Sequence, residues 1–179
     1  IGTVKATDPG SADYDSLVTF SITGSELSIT SDGVLSFVSA PDYETKSSYS
    51  ATVTASDGSN SRTQDITVSV TDVNDVAPTF ASSASFSAAE NQTSIGTVTA
   101  TDVDIDDSSI TFSVSGSELS ITSGGVLTFK SAPDYEIKSS YSATVTANDG
   151  INSSSQSITV SIINVNDNTP VITSSSSIN

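Results

Sequence analysis

Cysteine and histidine are both missing from this 179-residue chain. Without cysteine no disulfide can form, and no thiolate can act as a nucleophile or a zinc ligand. Without histidine the chain lacks the commonest general base and the commonest transition-metal ligand. A Ser-His-Asp triad is therefore impossible. A pair of carboxylates could hydrolyse glycosides, but such a site needs aromatic walls and aromatic residues are only 6% of the chain. We therefore expect the protein not to be an enzyme.

Positive charge is also scarce, because five Lys and Arg residues stand against twenty-one Asp and Glu residues and the net charge is -16. Binding to nucleic acid needs a basic surface, and adsorption to anionic lipid needs basic clusters. No apolar run approaches the roughly 18 residues that a membrane span requires. We therefore expect no nucleic-acid partner and no direct membrane insertion, whereas the acidic balance suits a partner that is a cation.

The chain consists of two copies of one unit. IGTVKATD at 1–8 returns as IGTVTATD at 95–102, and KSSYSATVTA at 46–55 returns at 138–147. Self-similarity of this kind indicates a tandem-repeat architecture. PVITSSSSIN at the end resembles the leader of a further copy, so the parent protein is expected to be a longer array. The predicted organisation is a first repeat truncated at its N-terminus over 1–75, a second repeat over 76–167, and a linker with the start of a third repeat over 168–179.

Each copy has the pattern of β-strands. In YSATVTA, residues Tyr49, Ala51, Val53 and Ala55 alternate with Ser and Thr, which predicts one face packed inward and one face in water. Ser-Asp-Gly at 31–33 is a hairpin signal, and about seven short strands per copy are typical of a Greek-key sandwich. The fold class is therefore all-β, with two tandem seven-strand Greek-key β-sandwiches of the immunoglobulin-like kind, the first lacking its N-terminal strand.

The acidic residues gather at strand ends and connections rather than along the strands. Several form i, i+2 pairs, which in extended chain point to one side. Like charges held together repel unless a cation lies between them, and Ca²⁺ takes six to eight oxygen ligands from carboxylates, amides and carbonyls. The segment DVND-x-x-P at 72–78 lies between the copies, so carboxylates of both are expected to reach it: Asp42, Glu44, Asp72, Asp75, Asp102, Asp104 and Asp149.

Several motifs together resemble the cadherin repeat, and especially the cadherin-like arrays of bacterial surface proteins. They are AEN at 89–91, TDVD at 101–104, PDYE at 133–136, ANDG at 147–150 and DVND-x-x-P at 72–78. The resemblance covers essentially the whole chain. It implies a seven-strand cadherin-like sandwich and Ca²⁺ bound between consecutive repeats.

Carried over by position, the resemblance implies two sets of calcium ligands. The first comprises Asp42, Glu44, Asp72, Asn74, Asp75, Asp102, Asp104 and Asp149, with the backbone carbonyls of Val73 and Val76. The second comprises Glu90, Asp134, Glu136, Asn166, Asp167 and Asn168, and Asp8 and Asp57 would bind an ion together with a preceding repeat.

The function that follows is a calcium-binding tandem-repeat segment of an extracellular adhesin, at the cell surface or secreted, in which Ca²⁺ stiffens the array for cell adhesion. Extracellular modules bind Ca²⁺ with dissociation constants of about 10⁻⁴–10⁻³ M. Besides calcium, the expected partners are neighbouring repeats of the same chain, and either homophilic protein contacts or cell-surface polysaccharide. Two alternatives stay open: a carbohydrate-binding module, and a subunit of an extracellular filament assembled by strand complementation.

Overall fold

The computed structural model describes residues 1–8, 18–104 and 110–174, and it divides into two compact units, Ile1–Val73 and Asn74–Asn179. We call them repeat 1 and repeat 2. The described residues form strands and turns without a helix, so none of them lies in a helix that could cross a membrane. The all-β prediction is confirmed. The predicted third repeat stays a prediction, and its residues 175–179 lie outside the described part of the chain.

Repeat 1 contains two three-stranded sheets among its described residues. One has the order β1–β4–β3 and the other the order β2–β5–β6, and every pairing in them is antiparallel. The strands are β1 (Gly2–Thr3), β2 (Thr19–Ile22), β3 (Leu27–Ile29), β4 (Val34–Phe37), β5 (Ser48–Ser56) and β6 (Ser61–Ser69).

Repeat 2 follows the same plan with a longer leader. Its strands are β7 (Thr79–Phe80), β8 (Ser85–Ala89), β9 (Ser94–Thr97), β10 (Ala100–Thr101), β11 (Thr111–Val114), β12 (Leu119–Ile121), β13 (Val126–Phe129), β14 (Ser140–Asn148) and β15 (Ser153–Ile163). They form sheets of order β12–β13–β9 and β11–β14–β15–β8, and β7 pairs with β10.

The first predicted strand of repeat 2 is split between two partners. Its β7 half pairs antiparallel with β10, whereas its β8 half runs parallel to β15, with Ser85 opposite Thr159. The second strand is likewise interrupted between β9 and β10. The described residues of repeat 2 therefore form nine strand segments where seven strands were predicted, because each interrupted strand changes its hydrogen-bonding partner along its length.

The core of repeat 2 lies between its sheets and follows the period-two pattern. Val145 on β14 and Val160 on β15 are fully buried, and Ile158 is 1% exposed. The intervening Ser and Thr residues of β15 are exposed or half-buried. Complete burial of one such aliphatic side chain contributes about 1.5–3 kcal/mol, so this alternation fixes which face of each strand turns inward.

The strand β8 explains why the two repeats differ in burial. Ile66 and Val68 of β6 occupy the places that Ile158 and Val160 hold in β15, yet they are only half-buried. In repeat 2 the parallel strand β8 covers the edge of β15. No strand among the described residues of repeat 1 corresponds to β7 or β8.

The hairpin between β12 and β13 turns at a glycine, in the place that Ser-Asp-Gly at 31–33 holds in the first copy. Gly125 has φ +87°, and its N–H donates to the carbonyl of Thr122 at 2.9 Å. The carbonyl of Gly125 in turn accepts the N–H of Val98 at 2.9 Å. A Cβ at this position would collide with the carbonyl oxygen of Val98. Glycine is therefore required here both for its conformation and for the close approach of β9 and its following residues.

A single turn precedes β5, and it recurs before β14. The N–H of Lys46 donates to the carbonyl of Asp42 at 2.9 Å, and the N–H of Lys138 donates to that of Asp134 at the same distance. Each turn contains the acidic residues of a PDYE motif, which lies at 41–44 in repeat 1 and at 133–136 in repeat 2.

Candidate metal centre

Two groups of three carboxylates converge within repeat 2. We call Asp102, Asp104 and Asp149 the Asp149 cluster, and Glu90, Asp134 and Glu136 the Glu90 cluster. In each, one carboxylate oxygen from every member lies within 4.8 Å of the others. Asp149 follows β14 at the hairpin to β15, whereas Glu90 follows β8 beside the end of β15. The two clusters therefore lie at opposite ends of the repeat.

Asp149 is held by the hairpin that it opens. Its Oδ1 accepts the N–H of Ile151 at 2.7 Å and the N–H of Asn152 at 2.6 Å, an arrangement that Asp side chains form readily in turns. Burial by itself raises the pKa of Asp149, but these backbone hydrogen bonds outweigh it and leave the pKa below its ordinary value. The side chain is thus charged although only 5% of the residue is exposed.

The second carboxylate oxygen of Asp149, Oδ2, has a different environment from Oδ1. Its Oδ2 is buried and accepts no hydrogen bond within the described structure. A buried charged oxygen without a partner is costly, and a cation placed among the three carboxylates would remove that cost.

Asp102 and Asp104 come from the segment after β10. Oδ1 of Asp102 accepts the N–H of Val103 at 2.7 Å and that of Asp104 at 3.2 Å, whereas its Oδ2 is buried without a hydrogen-bond partner. Asp104 is 5% exposed, and its Oδ2 accepts the N–H of Val76 at 3.2 Å. Asp102 is therefore held by N–H groups next to it in sequence, whereas Asp104 is bonded to the first residues of the repeat through Val76.

The sequence prediction missed Asn152, which contacts the cluster and the start of repeat 2 together. Its amide Nδ2 donates to the backbone oxygen of Asn74 at 3.2 Å and to Oδ1 of Asn74 at 2.7 Å. Asn60 holds the equivalent place in repeat 1, where its N–H donates to Oδ1 of Asp57 at 2.7 Å. The recurrence of this asparagine in both copies is the signal that could have revealed it.

The donor set of the Asp149 cluster fits a hard divalent cation. All candidate ligands are oxygen atoms, and oxygens bound to one Ca²⁺ at about 2.3–2.6 Å lie within about 5 Å of each other. The 4.8 Å spread of the three carboxylates meets that condition. Within the cluster, Oδ2 of Asp102 and Oδ2 of Asp149 are buried and accept no hydrogen bond in the described structure, so both can contact a cation.

In the Glu90 cluster, both carboxylate oxygens of the buried member accept hydrogen bonds. Glu90 is 3% exposed, and its Oε2 accepts the N–H of Tyr135 at 2.6 Å while its Oε1 accepts that of Val165 at 2.7 Å. Asp134 Oδ1 accepts the N–H of Ile137 at 3.2 Å. Glu136 Oε1 accepts the amide of Asn164 at 3.3 Å. A carboxylate oxygen has two lone pairs, so these bonds leave Glu90 able to contact a cation as well.

The expectation that i, i+2 pairs of acids lie in extended chain is wrong for Asp134 and Glu136. The i, i+2 pairing was expected to act in extended chain, but residues 135–137 form a turn and Lys138 bonds back to Asp134. The two carboxylates nevertheless converge on Glu90. The turn brings them together, because it bends the backbone between the two side chains.

The remaining predicted ligands occupy several environments. In repeat 1, Asp42 accepts the N–H and the hydroxyl of Thr45, and Asp57 accepts the N–H groups of Asn60 and Ser59; these bonds lower the pKa of both carboxyls. Near the end of the chain, Asp167 Oδ2 accepts the amide of Asn91 at 2.5 Å. The other predicted ligands fall into two classes of exposure. The half-buried ones are Asp8, Asp72, Asn74 and Val76. The exposed ones are Glu44, Val73, Asp75, Asn166 and Asn168.

Not every predicted carboxylate joins a group of three. Among the residues that the structure describes, five take no part in one: Asp8, Asp42, Asp57, Asp72 and Asp167. The assignment of the full ligand sets stays a prediction.

Comparison with known proteins identifies the family. A family model described as a bacterial Ig domain matches residues 74–163, half of the chain. The chain belongs to the bacterial Ig domain family. The curated relatives are cadherins, which shows that these Ig domains are cadherin-like. The chain is 34% identical over 187 residues to the mouse cadherin EGF LAG seven-pass G-type receptor 1, and the match covers 94% of this chain. It is 33% identical over 202 residues to the Drosophila melanogaster protocadherin-like wing polarity protein stan, with 97% covered.

Solved structures give the same result for the fold of these cadherin-like Ig domains. Mouse cadherin-23 EC22-24 matches with a TM-score of 0.73 at 27% sequence identity, over 92% of this chain and 59% of that one. The cadherin-like fold predicted from the sequence is confirmed. The chain spans 6% of the length of each of the two curated relatives.

Proposed function

We propose that this segment binds Ca²⁺ and forms part of an extracellular adhesion protein. The observation that supports the proposal most is the Asp149 cluster. A nearly fully buried carboxylate, with its pKa held below the ordinary value, presents a partnerless oxygen to two further carboxylates. Ionised acids concentrated in this way repel one another in the absence of a cation.

Calcium is the cation that this chemistry favours. Transition metals prefer imidazole and thiolate ligands, and the chain has neither. Magnesium retains several waters and demands octahedral geometry, whereas calcium accepts flexible sets of carboxylates, amides and carbonyls. The Asp149 cluster, with the oxygens of Asn74 nearby through Asn152, offers such a mixed set.

The adhesive role is proposed from the relatives together with the repeat architecture. The names of the similar proteins describe cadherins and a protocadherin-like protein, and the chain repeats one sandwich unit in tandem. In this proposal Ca²⁺ stiffens consecutive repeats, and the segment works outside the cell, where calcium is in the millimolar range that such modules require. The participation of Asp42, Glu44 and Asp72 in binding stays a prediction from the sequence.

The proposed setting is a cell-surface adhesin of bacterial type, as the family description suggests, although the curated relatives named above are animal proteins. Homophilic contacts and polysaccharide binding stay predictions, as do the carbohydrate-binding and filament alternatives.

A calcium titration of the whole chain tests the proposal. With dissociation constants of about 10⁻⁴–10⁻³ M, 10 mM Ca²⁺ should stabilise the folded state by about 1.4–2.7 kcal/mol per site. Thermal melting should therefore shift upward with Ca²⁺ and return to the starting value with excess EDTA. Sodium chloride at equal ionic strength is the control, because it screens the acids without coordinating them. Melting curves that are the same in Ca²⁺ and in EDTA would refute the proposal.

A further inference from the structure

Asn152 connects three parts of repeat 2. Its backbone N–H donates to Oδ1 of Asp149 at 2.6 Å, and its carbonyl accepts the N–H of Asp149 at 3.2 Å. Its side-chain amide points to the first residue of the repeat and donates to both oxygens of Asn74. The backbone of Asn152 thus forms hydrogen bonds within the hairpin, whereas its side chain forms hydrogen bonds to Asn74.

The side-chain contact restrains an oxygen-rich segment next to the carboxylates. Asn74 is half-buried, and two residues later the N–H of Val76 donates to Asp104. The segment 74–76 is therefore bonded to Asn152 at one end and to the Asp149 cluster at the other. Each carbonyl oxygen has two lone pairs, so Oδ1 of Asn74 can accept the amide of Asn152 and still contact a cation.

We propose that Asn152 is a positioning residue for the calcium site of the Asp149 cluster. It acts through Asn74, whose oxygens it holds in place before the ion arrives, and it need not touch the ion itself. This inference rests on the proposed function. Groups that orient metal ligands in this way typically change metal affinity by about 10–100-fold, and they do so without altering the charge of the site.

The chain allows the side-chain contribution to be removed cleanly. Asn152→Ala deletes the amide but keeps the backbone N–H and carbonyl that hold Asp149. Asn74→Ala removes the side-chain oxygen that accepts the amide of Asn152 at 2.7 Å and keeps the backbone oxygen that accepts it at 3.2 Å. Asn60→Ala is the matched control in repeat 1, because Asn60 contacts Asp57 with its backbone in the same way and its amide lies 3.4 Å from Oδ2 of the same residue.

The experiment is a calcium titration of the whole chain followed by amide NMR. Signals of Val76 and Ile151 report on the Asp149 cluster, and signals of Tyr135 and Val165 report on the Glu90 cluster as an internal reference. We expect Asn152→Ala to raise the calcium midpoint of the first pair about 10–100-fold and to leave that of the second pair unchanged. Asn60→Ala should change neither.

A double-mutant cycle separates positioning from a general structural role. If Asn152 acts through Asn74, Asn152→Ala weakens calcium binding less in the Asn74→Ala background than in the wild-type chain, because the two effects are coupled. Independent effects that multiply would overturn the inference. So would an Asn152→Ala variant that melts at a lower temperature in EDTA but keeps its calcium midpoint. If the wild-type signals fail to respond to Ca²⁺ at all, the proposed function itself fails, and the inference falls with it.

Discussion

The carboxylate of Glu90 accepts the backbone N–H of Val165 at 2.7 Å across 75 positions of sequence. The other oxygen of the same carboxylate accepts the N–H of Tyr135 at 2.6 Å. One buried side chain therefore joins the end of β8, the turn before β14 and the chain after β15. This acid has a structural role in repeat 2 that does not depend on an ion.

Replacing Glu90 by Gln should destabilise repeat 2 even without calcium. A glutamine amide has one acceptor oxygen instead of two, so the N–H of either Tyr135 or Val165 would face a donor. A buried donor left without a partner costs about 1–3 kcal/mol. Urea unfolding in EDTA measures the free energy of unfolding of both proteins.

Glu118→Gln is the matched control for that experiment. Glu118 pairs with Lys138 at the surface, where its side chain is 49% exposed, and exposed pairs contribute about 0–1 kcal/mol. An unfolding free energy for Glu90→Gln equal to that of Glu118→Gln would contradict the structural role of Glu90.

Replacing Asp149 by Asn should weaken calcium binding while preserving the hairpin. Asparagine keeps an oxygen that can accept the N–H groups of Ile151 and Asn152, but it removes the negative charge. We expect the apparent dissociation constant for Ca²⁺ to rise by about tenfold or more, since charge count sets calcium affinity. Isothermal titration calorimetry on the whole chain measures it.

The control for Asp149→Asn is Asp65→Asn, which changes the net charge by the same amount. Asp65 is exposed on β6 and accepts the hydroxyl of Thr52 at 2.7 Å. If both variants lose calcium affinity equally, the loss reflects overall charge, and Asp149 has no specific place in the site.

Replacing Gly125 by Ala should destabilise repeat 2 more than replacing Gly116 by Ala. Both glycines have positive φ, of +87° and +84°, so both variants incur backbone strain. Only at Gly125 does the added Cβ meet the carbonyl oxygen of Val98, whereas at Gly116 no atom lies within 4 Å. We expect about 1–3 kcal/mol of additional loss at Gly125, the usual cost of forced overpacking.

Thermal melting and urea unfolding of the two glycine variants give the comparison directly. Equal destabilisation would mean that β13 and the residues after β9 can separate without cost, contrary to the tight packing of this turn.

Local patterns were sufficient to predict much of this protein, because strand alternation and turn residues act over a few positions. Tyr49 and Val53, for instance, lie on the inward-facing side of β5 as expected. The division of the first strand between β7 and β8 was not predictable in this way, since it depends on which neighbouring strands offer hydrogen-bonding groups. Asn152 was missed for a related reason, because a neutral amide has no charge pattern and its contact with Asn74 spans 78 positions.

The amino-acid order by itself determined the repeat, the strand faces and the supply of acids, because these depend on residue type and short-range periodicity. Only the tertiary structure decided which acids are buried and which converge. Asp149 and Glu90 are buried, whereas Asp42 and Asp75, equally acidic and equally repeated in the motifs, are exposed. For Glu90 the reason is that its burial depends on the N–H groups of Tyr135 and Val165, which lie far away in sequence and are brought together only by the fold. The N–H partners of Asp149 are local, so the hairpin alone provides them, and the fold decides only that Asp102 and Asp104 converge on it.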